Sequence, residues 1–163
     1  MSGAVGSEDY DDGKTIGYIA MKSLFKKQSA DRDERHAASP GGVNTVLIVD
    51  DSPTEQHVMK QILLQAGYTV ETADDGAQGV ASARELKPDV ILMDVVMPVL
   101  NGFQATRQLS KDEATSAIPV IMVTTKDQET DKHWGMRQGA REYLVKPVNA
   151  ELLIEKIEAV LGG

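Results

Sequence analysis

Four places in this chain hold side chains suited to phosphorus chemistry: Asp50-Asp51, Asp94, Thr124-Thr125 and Lys146-Pro147, each directly after a short apolar run. An aspartate can attack phosphorus as a nucleophile. The product is an acyl phosphate, whose negative charge a metal ion, a lysine ammonium and a hydroxyl can stabilise. Three carboxylates gathered in one crevice repel each other and raise each other's pKa unless a cation neutralises them. The chain has no cysteine, and no histidine stands at these positions. Oxygen-only ligands favour a hard ion such as Mg2+, which keeps several waters and accepts phosphate oxygens, over zinc.

These residues can converge only if the runs before them are neighbouring strands. The runs at 45–49, 68–72, 89–93, 119–123 and 142–145 are apolar throughout rather than alternating, as strands covered on both faces are. Mixed segments of helical period separate them. Ser52-Pro-Thr-Glu55 combines a capping box with proline at the first helical position, ahead of Val58, Met59, Ile62, Leu63 and Ala66 at core spacing. Gly67 is the natural stop. Asn149 caps a last helix that presents Leu153, Ile157 and Val160 on one stripe before Gly162-Gly163. Five βα units with right-handed crossovers predict an α/β fold, a flavodoxin-like (βα)5 doubly wound five-stranded parallel sheet of strand order 2-1-3-4-5. In such sheets the functional crevice lies beyond the carboxyl ends of the strands, where the acids, the threonines and the lysine stand.

Length and composition agree with one domain. The 163 residues suit a single core at 44–163 preceded by an extension at 1–43. The extension mixes Gly, Ser, Asp and Lys without a sustained period and ends in Ser39-Pro-Gly-Gly42, which reads as a flexible linker. Residues 16–27 could form a short basic amphipathic helix, but a disordered tail is the preferred reading and membrane contact is not expected. The net charge is −8, most of it on residues 44–163, and no large Lys/Arg cluster offsets it, so nucleic acid is not an expected partner. The absence of cysteine suits a reducing compartment, and the cytoplasm is the expected location. Apolar runs such as 90–93 fall far short of the roughly 20 residues that span a bilayer.

Four strings, Val46-Leu-Ile-Val-Asp-Asp-Ser52, Leu92-Met-Asp-Val-Val-Met-Pro98, Val123-Thr-Thr125 and Tyr143-Leu-Val-Lys-Pro147, together resemble a CheY-like response-regulator receiver domain over about residues 44–161. The resemblance implies a single-domain response regulator of a two-component, chemotaxis-like phosphorelay. Asp94 would accept a phosphoryl group from a histidine kinase. Asp51 would be a direct Mg2+ ligand, Asp50 would place a metal-bound water and Val96 would offer its backbone carbonyl. Thr124 and Lys146 would hold the phosphoryl oxygens, with a cis peptide at Lys146-Pro147. Thr124 and Tyr143 would act as the switch, altering the surface of the fourth helix, fifth strand and fifth helix. The chain would not be an enzyme beyond self-phosphotransfer and autodephosphorylation. Residues 101–109 and 123–139 further resemble the PilH-type regulators of type IV pilus twitching motility. That implies a chemotaxis-like histidine kinase as partner and an unknown output protein, with a pilus motor or its regulator as the candidate. The protein is expected as a monomer or a weak phosphorylation-dependent dimer. The chain stops after the last helix, so its output is expected to be a contact. The extension departs from a minimal receiver, and Met21 is an alternative start.

Other readings compete. A phosphate sink that drains the kinase of a sister regulator would use the same site. A haloacid-dehalogenase-like phosphatase also forms an aspartyl phosphate but needs a second acid two residues on, where this chain has Val96. Taken singly, Asp50, Asp51 and Asp94 could be helix caps, and Tyr143 could be edge packing. Trp134 could anchor a partner or cover its own core. His57 and His133 are expected to face solvent. Because Val96 cannot orient an attacking water, slow to moderate dephosphorylation is expected.

Overall fold

The computed structural model describes residues 43–162; all but the last residue of the expected extension, including its candidate basic helix, lie outside them. Five strands alternate with five helices. In chain order these are β1 (Thr45–Val49), α1 (Pro53–Gln65), β2 (Thr69–Ala73), α2 (Gly76–Leu86), β3 (Val90–Met93), α3 (Gly102–Lys111), β4 (Val120–Thr124), α4 (Glu129–Gln138), β5 (Glu142–Val145) and α5 (Ala150–Gly162). All strand pairs are parallel and the order is β2-β1-β3-β4-β5, as the sequence predicts. No helix among the described residues is long and apolar enough to cross a membrane.

The pleat sends alternate residues into two cores. Leu47, Val49, Ile91, Met93 and Met122 meet Val80, Ala83, Ala105 and Leu109 of α2 and α3 on one face. Val46, Ile48, Val90, Leu92 and Ile121 meet Met59 and Leu63 of α1 and Leu153 and Ile157 of α5 on the other. Each fully buried Leu or Ile contributes about 1.5–3 kcal/mol from removal of its surface from water. Strands sandwiched this way must be apolar on both sides, which is why β1, β3 and β4 are unbroken runs.

That rule fails for β2. Its residues Thr69, Glu71 and Thr72 are exposed, because β2 is an edge strand, and it begins and ends one residue later than the expected 68–72. Polar side chains on an edge also discourage pairing with another chain. The expectation for α1 is likewise corrected in part. Met59 and Leu63 are buried and Ile62 half-buried, but Val58 and Ala66 are exposed, since four-residue spacing lets only a narrow stripe face the sheet. Gly67 does end the helix, with φ of 97° and the Tyr68 N–H donating to the Leu63 carbonyl at 3.0 Å. At α5, Asn149 Oδ1 accepts the Leu152 N–H at 2.9 Å, Leu153 and Ile157 are buried, and Val160 is half-buried.

Candidate functional site

Four neighbouring strands deliver the site. Register pairs Val49 with Met93 and Thr124 with Val145, so Asp50 and Asp94 emerge side by side and Thr124 lies level with the residue before Lys146. Backbone bonds secure these exits. Asp94 N–H donates to the Val49 carbonyl at 3.0 Å, and Lys146 N–H to the Thr124 carbonyl at 2.8 Å.

The three aspartates converge as expected. One carboxylate oxygen each from Asp50, Asp51 and Asp94 lie within 4.8 Å of one another; Asp50 and Asp94 are buried and Asp51 is exposed. Asp50 is fully engaged: Oδ1 accepts the Ser52 N–H at 2.9 Å and Oδ2 accepts from Lys146 Nζ at 2.8 Å. The Lys146 side chain is only 8% exposed, and its ammonium also stands 3.7 Å from Asp94 Oδ2 and 3.8 Å from Glu55 Oε1. A buried ammonium with three N–H donors is thus faced by three carboxylates. The Lys146-Pro147 peptide is cis.

Electrostatics follow from burial and like charge. Burial and then the Asp50 charge push the Asp94 carboxyl above its ordinary range, opposed by Lys146, the Thr124 hydroxyl and the Val95 N–H, which donates to Asp94 Oδ1 at 2.8 Å. Lys146 is held above its usual value: burial works against the ammonium, but the Asp50 hydrogen bond and the charges of Asp94, Asp50 and Glu55 outweigh it. The site is therefore built to keep an ion pair in a place that would otherwise neutralise it.

Thr124 is buried at the end of β4, and its Oγ1 accepts the Lys126 N–H at 3.4 Å. Thr125 is exposed. Tyr143 is half-buried, its hydroxyl donating to the Lys126 carbonyl at 2.9 Å and its ring lying against Gly135, where a Cβ would stand 3.2 Å from ring carbons. Burial, then the charges of Asp131, Asp127 and Asp94, raise its phenol to about 12. Val96 is exposed in the loop after Asp94. Trp134 is half-exposed on α4, and His57 and His133 face solvent as expected.

Three residues of the site went unread in the sequence. Glu55 looked like half of a capping box. Ser52 Oγ does accept the Glu55 N–H at 3.3 Å, but the reciprocal bond is absent because the Ser52 N–H goes to Asp50 and Glu55 faces Lys146. Gln56 braces two strand ends, its amide donating to the Asp50 carbonyl at 2.6 Å and to Asp74 Oδ1 at 2.9 Å. Gly102 admits α3 to the back of Asp94. Only the glycine, placed at the start of a helix, carried a signal a sequence could give.

An open parallel sheet that brings three convergent aspartates, a buried lysine side chain and a buried threonine to one end is the arrangement of a signalling receiver. The chain belongs to the response regulator receiver domain family, whose model matches residues 46–158. Protein PilH of Pseudomonas aeruginosa is 65% identical over 118 residues, covering 72% of this chain and 98% of that protein. The DNA-binding regulator RpaA of Synechocystis is 40% identical over 116 residues, or 71% of this chain, but over only 48% of its own length. Among solved structures, Vibrio cholerae chemotaxis protein CheY4 superposes with a TM-score of 0.70 at 38% identity, over 74% of this chain and all of that one. The receiver domain of a Pseudomonas aeruginosa sensor histidine kinase, with a magnesium ion coordinated in its active-site cleft, gives 0.70 at 33% identity over 75% of this chain and 100% of its own.

Proposed function

We propose that residues 44–163 form a phosphoacceptor switch in which Asp94 takes a phosphoryl group from a phosphohistidine of a chemotaxis-like kinase. The observation that carries this reading is the Lys146 ammonium shared between Asp50 at 2.8 Å and Asp94 at 3.7 Å, inside a crevice with three carboxylates. A carboxylate oxygen of Asp94 attacks phosphorus, the P–N bond breaks, and the histidine nitrogen keeps the electron pair. Lys146 then moves toward the new phosphoryl oxygens, and the Thr124 hydroxyl, already beside Asp94, donates to another. Its withdrawal from the Lys126 N–H loosens the segment whose carbonyl holds Tyr143, which links the site to the face of α4 and β5. Regulation follows from a shift between two arrangements of that face.

The donor set fits Mg2+: carboxylate oxygens alone, one of them exposed and two buried, with no nitrogen or sulfur ligand among them. Asp51 and Asp94 would bind it directly, with the Val96 carbonyl. Asp50, both of whose oxygens already accept protein hydrogen bonds, would hold a bound water. When present, the ion neutralises charge on the transferring phosphoryl group.

The likeness to PilH supports a role in type IV pilus twitching motility, with the pilus motor or its regulator as output. Mass measurement after incubation with acetyl phosphate tests the reading. The parent gains one phosphoryl group with Mg2+ and none in EDTA, and Asp94→Asn gains none in either. Equal labelling of Asp94→Asn would refute it. In the host, Asp94→Asn is expected to change the twitching zone, and an unchanged zone would refute the motility role.

A further inference from the structure

Glu55 has no part in the mechanism above, yet it is aimed at its centre. As the third residue of α1 it would ordinarily reach back to the N-cap N–H. That N–H belongs instead to Asp50 Oδ1 at 2.9 Å, and Glu55 Oε1 lies 3.8 Å from Lys146 Nζ. Of the three carboxylates around this ammonium, Asp50 and Asp94 are buried, with side chains 0% and 9% exposed, whereas Glu55 is 40% exposed and forms the solvent side. We infer that Glu55 is a positioning residue and a charge filter: it holds the Lys146 ammonium at the mouth of the site and disfavours small anionic phosphodonors. The inference rests on the phosphoacceptor reading.

An incoming phosphoryl oxygen must take one of the three ammonium donors. The contact given up at least cost is the longest and wettest one, to Glu55, because exposed ion pairs are weak and their carboxylate is rehydrated on release. Charge counting points the same way. With a divalent cation bound, Asp50, Asp51 and Asp94 are balanced by the cation and Lys146 together, and Glu55 leaves the mouth one charge negative. A small dianion such as acetyl phosphate meets that charge directly. A protein donor, with contacts elsewhere to draw on, overcomes it.

The test uses the full chain with saturating Mg2+ and two donors, acetyl phosphate and the less negative phosphoramidate, with initial rates read against donor concentration. Glu55→Gln is expected to lower the half-saturating acetyl phosphate by about 1.5-fold to fivefold, the size of an exposed charge interaction. The maximal rate should change less and the phosphoramidate value should fall less. Glu55→Asp, which keeps the charge, should stay near the parent. In the parent, added salt should lower the half-saturating acetyl phosphate, since screening weakens repulsion; this arm needs no variant. An unchanged half-saturation in Glu55→Gln, equal shifts for both donors, or no salt response in the parent would overturn the filter. So would a more than tenfold loss of calorimetric Mg2+ affinity in Glu55→Gln, which would make Glu55 a metal ligand. A parent that takes no label, or an Asp94→Asn that takes as much, would instead strike the phosphoacceptor reading and the inference with it.

Discussion

A Cβ placed on Gly102 would overlap the carbonyl oxygen of Asp94, so the first turn of α3 can sit behind the central acid only because that position has no side chain. The Gly102 N–H uses the closeness, donating to the Val95 carbonyl at 2.9 Å. Backbone on both sides leaves nothing flexible to yield. Gly102→Ala is expected to cost about 2–4 kcal/mol in urea unfolding, through displacement of the 95–101 loop. A loss under about 0.5 kcal/mol, typical of a surface change, would contradict this contact.

Asp94 carries a stability cost with a defined pH sign. Its carboxyl is raised by burial and by Asp50. An acid whose folded pKa lies above its unfolded value stabilises the fold only at low pH, and that contribution is lost as pH rises through the folded pKa. In EDTA at neutral pH the charged Asp94 therefore opposes folding. Asp94→Asn should raise thermal stability at neutral pH, and the gain should shrink as pH falls toward the ordinary carboxylate value of about 4. A less stable Asp94→Asn at neutral pH would contradict the electrostatic account.

Val99 combines two unfavourable features. Its φ is 68° and it is 94% exposed, so a β-branched side chain occupies the left-handed region without any buried contact to compensate. Asn tolerates that backbone better. Val99→Asn is expected to stabilise the domain by about 1 kcal/mol by denaturant unfolding. Val99→Ile should not. Equal stability of the two would contradict the strain.

Tyr143 is anchored by its hydroxyl to the Lys126 carbonyl, and its phenol is pushed up to about 12. Tyr143→Phe should remove the phenolate transition near 12 from an ultraviolet titration and cost about 1 kcal/mol at neutral pH for the lost hydrogen bond. The sign follows from the raised pKa: the stabilising contribution is whole below the unfolded phenol value of about 10 and is lost as pH climbs through the folded one. Parent and variant should therefore converge in stability over that window. A high-pH transition of undiminished amplitude in Tyr143→Phe would contradict the assignment, since Tyr68 also titrates above its ordinary value through burial and the Glu158 charge.

Sequence made the strand ends legible because β1, β3 and β4 are buried on both faces and so stop abruptly at Asp50, Asp94 and the buried Thr124. It was less informative at β2, where an edge position tolerates Glu71 and moves the boundary without changing the pattern much. Glu55 shows a different limit. A glutamate three residues after a serine cap satisfies a local rule, and only the long-range approach of Asp50 and Lys146, 96 positions apart, redirects it. Gln56 was invisible for the same reason, since its partners include the residue at 74. Local spacing predicts local bonds; competition from distant backbone and charge decides which of them form.

Reductive trapping reads directly where the phosphoryl group goes. An acyl phosphate on aspartate is reduced by borohydride to homoserine, whereas a phosphate ester of serine or threonine is left intact. After incubation with acetyl phosphate and Mg2+, borohydride treatment and peptide sequencing by tandem mass spectrometry should place homoserine at position 94. Homoserine at position 50 or 51, or a phosphate ester on Thr124 with position 94 unchanged, would contradict the account.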